Sequence, residues 1–388
     1  MNITFITNRL THHQLPFCQN MQALLGGGFS MIATVPIVSG EEHRYPSYRE
    51  NTGFLIESYG EPSAEIKQKI FDSDAVIIGS APDDWILPRL KAGKLTFKYS
   101  ERFLKNGLTL KTFPRALIGA WKHHGKFQKY PLYLLCSSAY TAADAARFGN
   151  YKGCAYRWGY FPEEKRYDQQ SLHAKRTSGV LSVLWVGRML DWKHPEAAVL
   201  TAQHLKQQGV PFTMDLIGTG PQEQALAGRI AEQGLSDCVR MQGAKSPEQV
   251  RDAMERADIF LFTSDFHEGW GAVLNEAMNS GCACVVSHAV GAAPFLIQNG
   301  VNGFLYQNGN LEDLFQKTAY LAEHEKERRS MGEQAYRTIA EDWNANAAAK
   351  RFVQLTDCLL RGQDTPYASG PCSKAEILKN DWYQGETM

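Results

Sequence analysis

No apolar run in this chain of 388 residues approaches the ~18–20 residues that a membrane-spanning helix needs, which excludes an integral membrane helix. The eight cysteines, at 18, 136, 154, 238, 282, 284, 358 and 372, are too scattered for a disulfide scaffold. Most lie inside apolar runs such as LYLLCSS and CACVVS, where cysteine behaves as a small hydrophobe, so reduced core thiols are expected. Cys282 and Cys284 form a C-x-C without an accompanying Cys/His cluster, and the acidic DSD at 72–74 reads as the acids of a helix end, so no metal is expected. The N-terminus, MNITFITNRL, lacks the charged n-region and apolar h-region of a signal peptide, and a cytoplasmic location follows. Net charge is missing too, because 41 basic and 41 acidic residues cancel. The cancellation is between halves: residues 1–176 hold 23 basic and 15 acidic side chains, and the remainder 18 and 26.

What is present is a repeated alternation of short β-branched or aromatic runs with helical-period segments, the pattern of parallel sheets covered by helices. Strands are expected at 2–7, 29–35, 53–58, 75–80, 95–100, 133–138 and 154–160, with helices near 12–25, 62–72, 84–91, 101–106, 114–126 and 139–147. The polar stretch 162–179 reads as a linker. A second series follows, with strands at 180–187, 212–218, 239–243, 259–264, 282–287 and 303–306 and helices near 194–208, 221–233, 246–256, 271–280 and 311–323. A long helical stretch from about 326 to 360, broken near Trp343, closes the pattern. The expected architecture is α/β, two Rossmann-like domains at 1–176 and 177–345, followed by a C-terminal helix and tail at 346–388.

Ligands of open parallel sheets bind beyond the carboxyl ends of the strands. After the first strand of the second series come Gly187, Arg188 and Lys193; after its second come Gly218 and Gly220 in IGTGP. After its fourth comes TSDFHEGWGAVLNEAMNSG, where Gly269 and Gly271 free backbone N–H groups at a helix start to meet a phosphate. Arg188 and Lys193 would add positive charge for the same group. Glu268 and Glu276 would be repelled by a diphosphate and are expected to accept hydrogen bonds from sugar or ribose hydroxyls. Taken singly, Arg188 and Lys193 also fit a solvated loop, GTGP an ordinary turn and Glu276 an exposed helix face. Their joint placement after strands of one sheet argues for a site.

The segment EGWGAVLNEAMNSG resembles the Glu, seven residues, Glu signature of retaining glycosyltransferase family 4, and VGRMLDWKHPE and LIGTGP resemble that family's other donor-domain motifs. In the first half, THHQLPFCQNM, YSERFLK and SSAYTAADAARFGNYKGCAYRWGYFP resemble bacterial glycosyltransferases of surface-polysaccharide assembly. The resemblance implies the GT-B fold, two Rossmann-like domains with a cleft between them and a C-terminal helix returning toward the N-terminal domain. It implies a metal-independent transfer of a sugar, with retention, from a UDP- or GDP-linked nucleotide sugar, a co-substrate and not a cofactor. Arg188 and Lys193 would hold the donor diphosphate, Glu276 the ribose and Glu268 the transferred sugar, with backbone offered by Gly269, Trp270, Gly271 and Ala272.

Departures from the family pattern mark the acceptor side. Its Gly-rich first turn is replaced by TNRLTHHQLP, which makes Asn8, His12, His13 and Gln14 acceptor-side candidates. Glu101 stands where the family often has a histidine and is the candidate to orient the acceptor hydroxyl. The family's GG-x-P-E loop is replaced by Gly291-Ala292-Ala293-Pro294-Phe295, preceded by His288. Residues 86–130 carry eleven Lys/Arg and one acid, Glu101, interleaved with Phe97, Phe103, Phe113, Trp121, Phe127 and Tyr130. This is how a peripheral face binds an anionic membrane, and it fits a glycan or lipid-linked acceptor at the inner face of the cell membrane. No nucleic-acid motif accompanies the charge. Rival readings are a sugar-nucleotide epimerase of similar architecture, a NAD-dependent oxidoreductase, which needs G-x-G-x-x-G after a first strand, and a non-catalytic sugar-binding protein.

Overall fold

The computed structural model describes residues 1–37, 52–109, 111–168, 172 and 179–385. These form two compact units, one of Met1–Glu163 with Asp342–Lys379, the other of Glu164–Glu341 with the stretch from Asn380. The sequence pattern drew its boundaries at 176/177 and 345/346; part of the stretch between 163 and 177 lies outside the described residues.

In the first unit the strands are β1 (Ile3–Thr7), β2 (Phe29–Ala33), β3 (Leu55–Glu57), β4 (Ala75–Ile78), β5 (Thr96–Ser100), β6 (Leu132–Cys136) and β7 (Ala155–Arg157). All neighbours pair in parallel, in the order β3-β2-β1-β4-β5-β6-β7. β1, β2 and β4 are buried along their whole length, which is why they read as unbroken apolar runs and not as alternating ones. The helices are α1 (Leu15–Leu25), α2 (Ala64–Asp72), α3 (Leu87–Lys91), α4 (Phe113–His123) and α5 (Thr141–Ala146). Proline in the first turn opens α1, α3 and α4, where its missing N–H costs nothing; Ser63 caps α2 by accepting from the Ile66 N–H.

The stretch 101–106 is not the expected helix. Asp144 on α5 takes the N–H groups of Phe103 and Leu104 at 3.1 and 3.0 Å and pairs with Arg102 at 3.1 Å. A buried carboxylate thus satisfies the backbone donors that a helical turn would otherwise have used.

The second unit holds β8 (Leu181–Val186), β9 (Phe212–Ile217), β10 (Val239–Gly243), β11 (Ile259–Phe262), β12 (Ala283–Ser287) and β13 (Phe304–Tyr306), in the parallel order β10-β9-β8-β11-β12-β13. Its helices are α6 (Pro195–Gln207), α7 (Glu223–Glu232), α8 (Pro247–Arg256), α9 (Val273–Asn279), α10 (Ala293–Leu296), α11 (Leu311–Glu323) and α12 (Glu325–Arg337). Cys282 and Cys284 are fully buried, and the Cys282 thiol donates to the Met254 carbonyl at 3.1 Å, so both serve the core. In each sheet the chain winds outward in both directions from a central pair, β1 beside β4 and β8 beside β11. These are the topological switch points where loops diverge and leave room for a ligand.

A π-helical turn at Thr338–Asp342 breaks the long C-terminal helical stretch, and α13 (Ala345–Leu360) starts afresh, capped by Asn344. α13 packs on α1 in the first unit. There Phe352 meets Phe17, Phe97 and Trp158 with ring centroids 6.4, 4.9 and 5.7 Å apart. The chain then adds a short edge to β7, where Tyr156 bridges Lys374, and from Asn380 belongs to the second unit. Its Tyr383 hydroxyl accepts from Lys317 and donates to the Leu305 carbonyl, both at 2.8 Å. Among the described residues no helix is long and apolar enough to cross a membrane.

Candidate functional site

The expected donor residues lie at the switch point of the second sheet. Gly218, at φ +133°, lets the β9 loop touch the β8 loop: a Cβ there would sit 1.9 Å from the Gly187 carbonyl oxygen. At Gly220 a Cβ would meet the Met189 backbone at 2.6–2.9 Å. Hydrogen bonds from Gly187 N to Ile217 O and from Met189 N to Thr219 O, at 3.0 and 2.9 Å, lock the two loops together. Both glycines are therefore required by close backbone approach. Arg188 stands exposed on this platform.

Across the switch, the β11 loop reaches the β8 loop. Thr263 accepts from the Trp185 indole at 2.9 Å and donates to the Lys193 carbonyl at 2.7 Å. Lys193 donates to Glu268, whose same oxygen accepts from Ser264 at 3.0 Å. The lysine ammonium also lies 4.5 Å from the Trp192 ring. The structure thus joins two of the expected residues, the half-buried Lys193 and the buried Glu268, into one pair.

A second cluster strengthens this joint. His194 adopts φ +48°, in the left-handed region that only a few per cent of non-glycine residues occupy. Its ring meets Asp265 at 3.4 Å and Glu196 at 3.0 Å, and Asp265 also binds His267 at 2.8 Å. The hydrogen bond to Asp265, then that to Glu196, raises the His194 pKa to about 9 against the opposing effect of burial. For Asp265 burial acts upward, but hydrogen bonds from His194 and His267 outweigh it and bring the carboxyl down to about 2. The sequence pattern did not single out His194 or Asp265. The signal present was a bulky residue between Lys193 and Pro195, just where the chain must turn into α6.

Gly271, at φ +91°, leaves no room for a side chain, since a Cβ would lie 2.6 Å from the Phe262 ring. Ala272 is the last residue before α9, so the helix begins two residues later than the 271 expected. Gly269 and Trp270 are buried. The Trp270 indole is fully enclosed and donates to Asn275 at 2.9 Å, while its carbonyl accepts from Ala292 N at 3.0 Å; its side chain serves packing. Glu276 lies in the first turn of α9, where burial pushes its carboxyl upward and Arg251 acts against that. His288, after β12, donates through Nε2 to the Asn380 carbonyl at 3.1 Å and accepts from Asn308 N at 2.9 Å, so the C-terminal tail occupies its ring edge.

In the first unit a cavity of about 870 Å³ opens at the ends of β1, β4 and β5. Asn8, His13, Gln14 and Glu101 line it; His12 does not. Glu101 accepts from the Tyr160 hydroxyl at 2.5 Å and pairs with Lys105 at 2.7 Å. Tyr160 is stacked on His13 at 5.7 Å, and burial, with His12 adding to it, lowers the His13 pKa to about 3. Asn8 and Gln14 use their side-chain oxygens locally, on Arg9 N at 2.8 Å and on Thr11 at 3.3 Å.

The basic stretch 86–130 is partly structural. Arg89 is buried and donates to the carbonyls of Ile70, Ser73 and Leu95 at 2.6, 3.0 and 2.6 Å. Lys98 and Arg102 are buried on Asp83 and Asp144, and Phe97 and Phe127 belong to the core. The cavity cations are therefore neutralised in place, which favours a hydroxyl-rich ligand over a bare anion. Asp83 and Tyr160, which the sequence pattern did not single out, follow the ends of β4 and β7, a position read in full only for the second series.

Two parallel sheets, each wound outward from a central pair, and α13 returning to α1 define the GT-B class of fold. The Anabaena protein HepE, solved in complex with UDP, shares this fold with a TM-score of 0.67 at 15% identity, over 91% of this chain and 99% of that one. Residues 168–338 match the family model of the glycosyl transferases group 1. The amylovoran biosynthesis glycosyltransferase AmsK of Erwinia amylovora is 30% identical over 184 residues, 46% of this chain and 45% of that protein. WcaL of Salmonella typhimurium, named for colanic acid biosynthesis, is 29% identical over 181 residues, 45% of this chain and 44% of that protein. The aligned part of the chain thus spans a little under half the length of these curated relatives.

Proposed function

We propose that the protein is a retaining glycosyltransferase that moves a sugar from a UDP-sugar to a lipid-linked glycan in bacterial surface-polysaccharide assembly, at the cytoplasmic face of an anionic membrane. The Lys193–Glu268 pair at the switch point of the second sheet carries the reading. Two opposite charges held side by side offer a cation to a diphosphate and an acceptor oxygen to sugar hydroxyls. Arg188, Gly187, Gly218 and Gly220 form the platform beside it, and Glu276 is assigned to the ribose. Gly269, Trp270, Gly271 and Ala272 contribute backbone.

In this mechanism the bond between the anomeric carbon and the diphosphate oxygen breaks as the acceptor oxygen bonds that carbon on the same face; negative charge grows on the leaving phosphate, which takes up the acceptor hydroxyl's proton. Arg188 and Lys193 stabilise that charge. Because Lys193 already binds Glu268, the donor competes for it, and release of Glu268 frees that carboxylate for the sugar. His194 and Asp265 hold the loop that carries Lys193. In the first unit Glu101, fixed by Tyr160 and Lys105, is assigned to orient the acceptor hydroxyl, and His13, Asn8 and Gln14, which line the same cavity, are assigned to the acceptor side, while His12 lies outside it. UDP is preferred to GDP because the Anabaena relative binds UDP and, in another structure, UDP-glucose. Calorimetric titration with UDP, followed by UDP release from UDP-sugars, tests the reading. Binding without release under any acceptor would favour a sugar-binding protein instead.

A further inference from the structure

The outer face of α4 is built the wrong way round for a helix that meets only water and a core. Its small residues Ala116, Gly119 and Ala120 line the cavity, while its bulky apolar side chains face outward. Phe113 is 47% exposed, Leu117 46%, Ile118 66% and Trp121 62%. The spacing i, i+4, i+5, i+8 puts them in one stripe. An exposed apolar stripe rimmed by polar residues marks an interaction surface.

The rim decides which surface. Lys111, Arg115, Lys122 and Lys129 are exposed and Lys126 is half-buried; among the described residues none has an acidic partner. Lys126 and Lys129 lie over the Phe127 and Tyr130 rings at 4.6 and 5.2 Å. The inward cations behave oppositely: Lys98, Arg102 and Lys105 are each paired with an acid. The uncompensated positive charge of the region is thus concentrated beside the apolar stripe, which matches a surface that is apolar inside and anionic at its boundary.

We propose that α4 docks the first unit on an anionic lipid bilayer. Phe113, Leu117, Ile118 and Trp121 enter the headgroup boundary, and Lys111, Arg115, Lys122, Lys126 and Lys129 meet lipid phosphates. The inference rests on the membrane reading given above and deepens it by naming the element that inserts. Since α4 has its other face on the cavity, a glycan carried by a membrane lipid would reach the Glu101 region along the same helix.

Flotation of the full chain with phosphatidylcholine vesicles, with and without phosphatidylglycerol, tests this. Binding is expected to the anionic vesicles only and to weaken as salt rises. Ile118→Ser with Trp121→Ser should lower it more than tenfold. Lys122→Gln with Lys126→Gln should lower it by about 30-fold and flatten its salt dependence. Ile118, Trp121 and Lys122 are exposed and Lys126 is half-buried with no acidic partner among the described residues, so each variant should keep the wild-type circular dichroism. No flotation at low salt, or equal flotation with both vesicle types, overturns the proposal. So does self-association in sedimentation that Trp121→Ser abolishes while vesicles are ignored, because the stripe would then belong to a second copy. UDP affinity is read on the same samples: flotation without UDP binding supports docking and counts against the glycosyltransferase reading alone.

Discussion

Replacing Lys193 by Ala separates catalysis from architecture in one residue. Lys193 and Glu268 are 15% and 11% exposed as side chains, so the mutation leaves a carboxylate largely buried without its cation. Breaking a buried pair in this way costs about 3–5 kcal/mol. Here Ser264 still donates to the same oxygen at 3.0 Å and some solvent reaches Glu268, so about 2–3 kcal/mol is expected. Independently, loss of a cation at the departing diphosphate should lower turnover by about 10²–10³, equivalent to about 2.7–4 kcal/mol. The double variant Lys193→Met with Glu268→Gln removes both charges, so it should regain most of the stability and none of the turnover. Urea denaturation gives the first quantity; UDP affinity and UDP release from a UDP-sugar give the second. If Lys193→Ala is destabilised but retains wild-type affinity and release, Lys193 is only the partner of Glu268, and the donor site has been misread.

Other perturbations test separate links. Gly218→Ala would place a Cβ 1.9 Å from the Gly187 carbonyl oxygen and force the two loops apart; it should cost about 1–3 kcal/mol and abolish the thermal shift given by UDP. For His194, whose folded pKa is raised to about 9, the stabilisation is complete below the ordinary value near 6.5 and is lost as pH rises through about 9. For Asp265, lowered to about 2, stabilisation is present above the ordinary value near 3.8 and is lost as pH falls toward 2. Urea midpoints across this range should show the alkaline loss in the wild type and a smaller one in His194→Gln. Phe352→Ala empties the junction of α1 and α13 and should lower stability by about 3–5 kcal/mol, measured by denaturation, with UDP affinity unchanged in the folded protein. Glu101→Gln should preserve UDP affinity while lowering sugar transfer to the acceptor relative to UDP hydrolysis.

The strands were legible because parallel strands buried on both faces leave unbroken apolar runs, as in AVII at 75–78 and IFLF at 259–262. The turns after those strands were legible because they follow them directly, and Gly218, Gly220 and Gly271 are glycines that the backbone geometry requires. What escaped were relations between residues far apart in the chain. Nothing local in ERFLKN indicates that Asp144, on another helix, holds residues 102–104 out of a helix. Composition likewise counted Arg89, Lys98 and Arg102 as surface charge, whereas carbonyls and carboxylates enclose them. The course of the tail beyond 362 has no local signal in the sequence, because its partners are the edge of β7, His288 and Lys317, none of them nearby in sequence.

The central claim is that the loops joined by Lys193 and Glu268 form a nucleotide diphosphate site, and titration calorimetry with UDP on wild type and Arg188→Ala tests it most directly. The account predicts UDP binding to the wild type, stabilising the fold by about 2.7 kcal/mol when UDP reaches a hundred times its Kd, and at least tenfold weaker binding to Arg188→Ala. Absence of UDP binding by the wild type, or equal affinity in the two proteins, would contradict it.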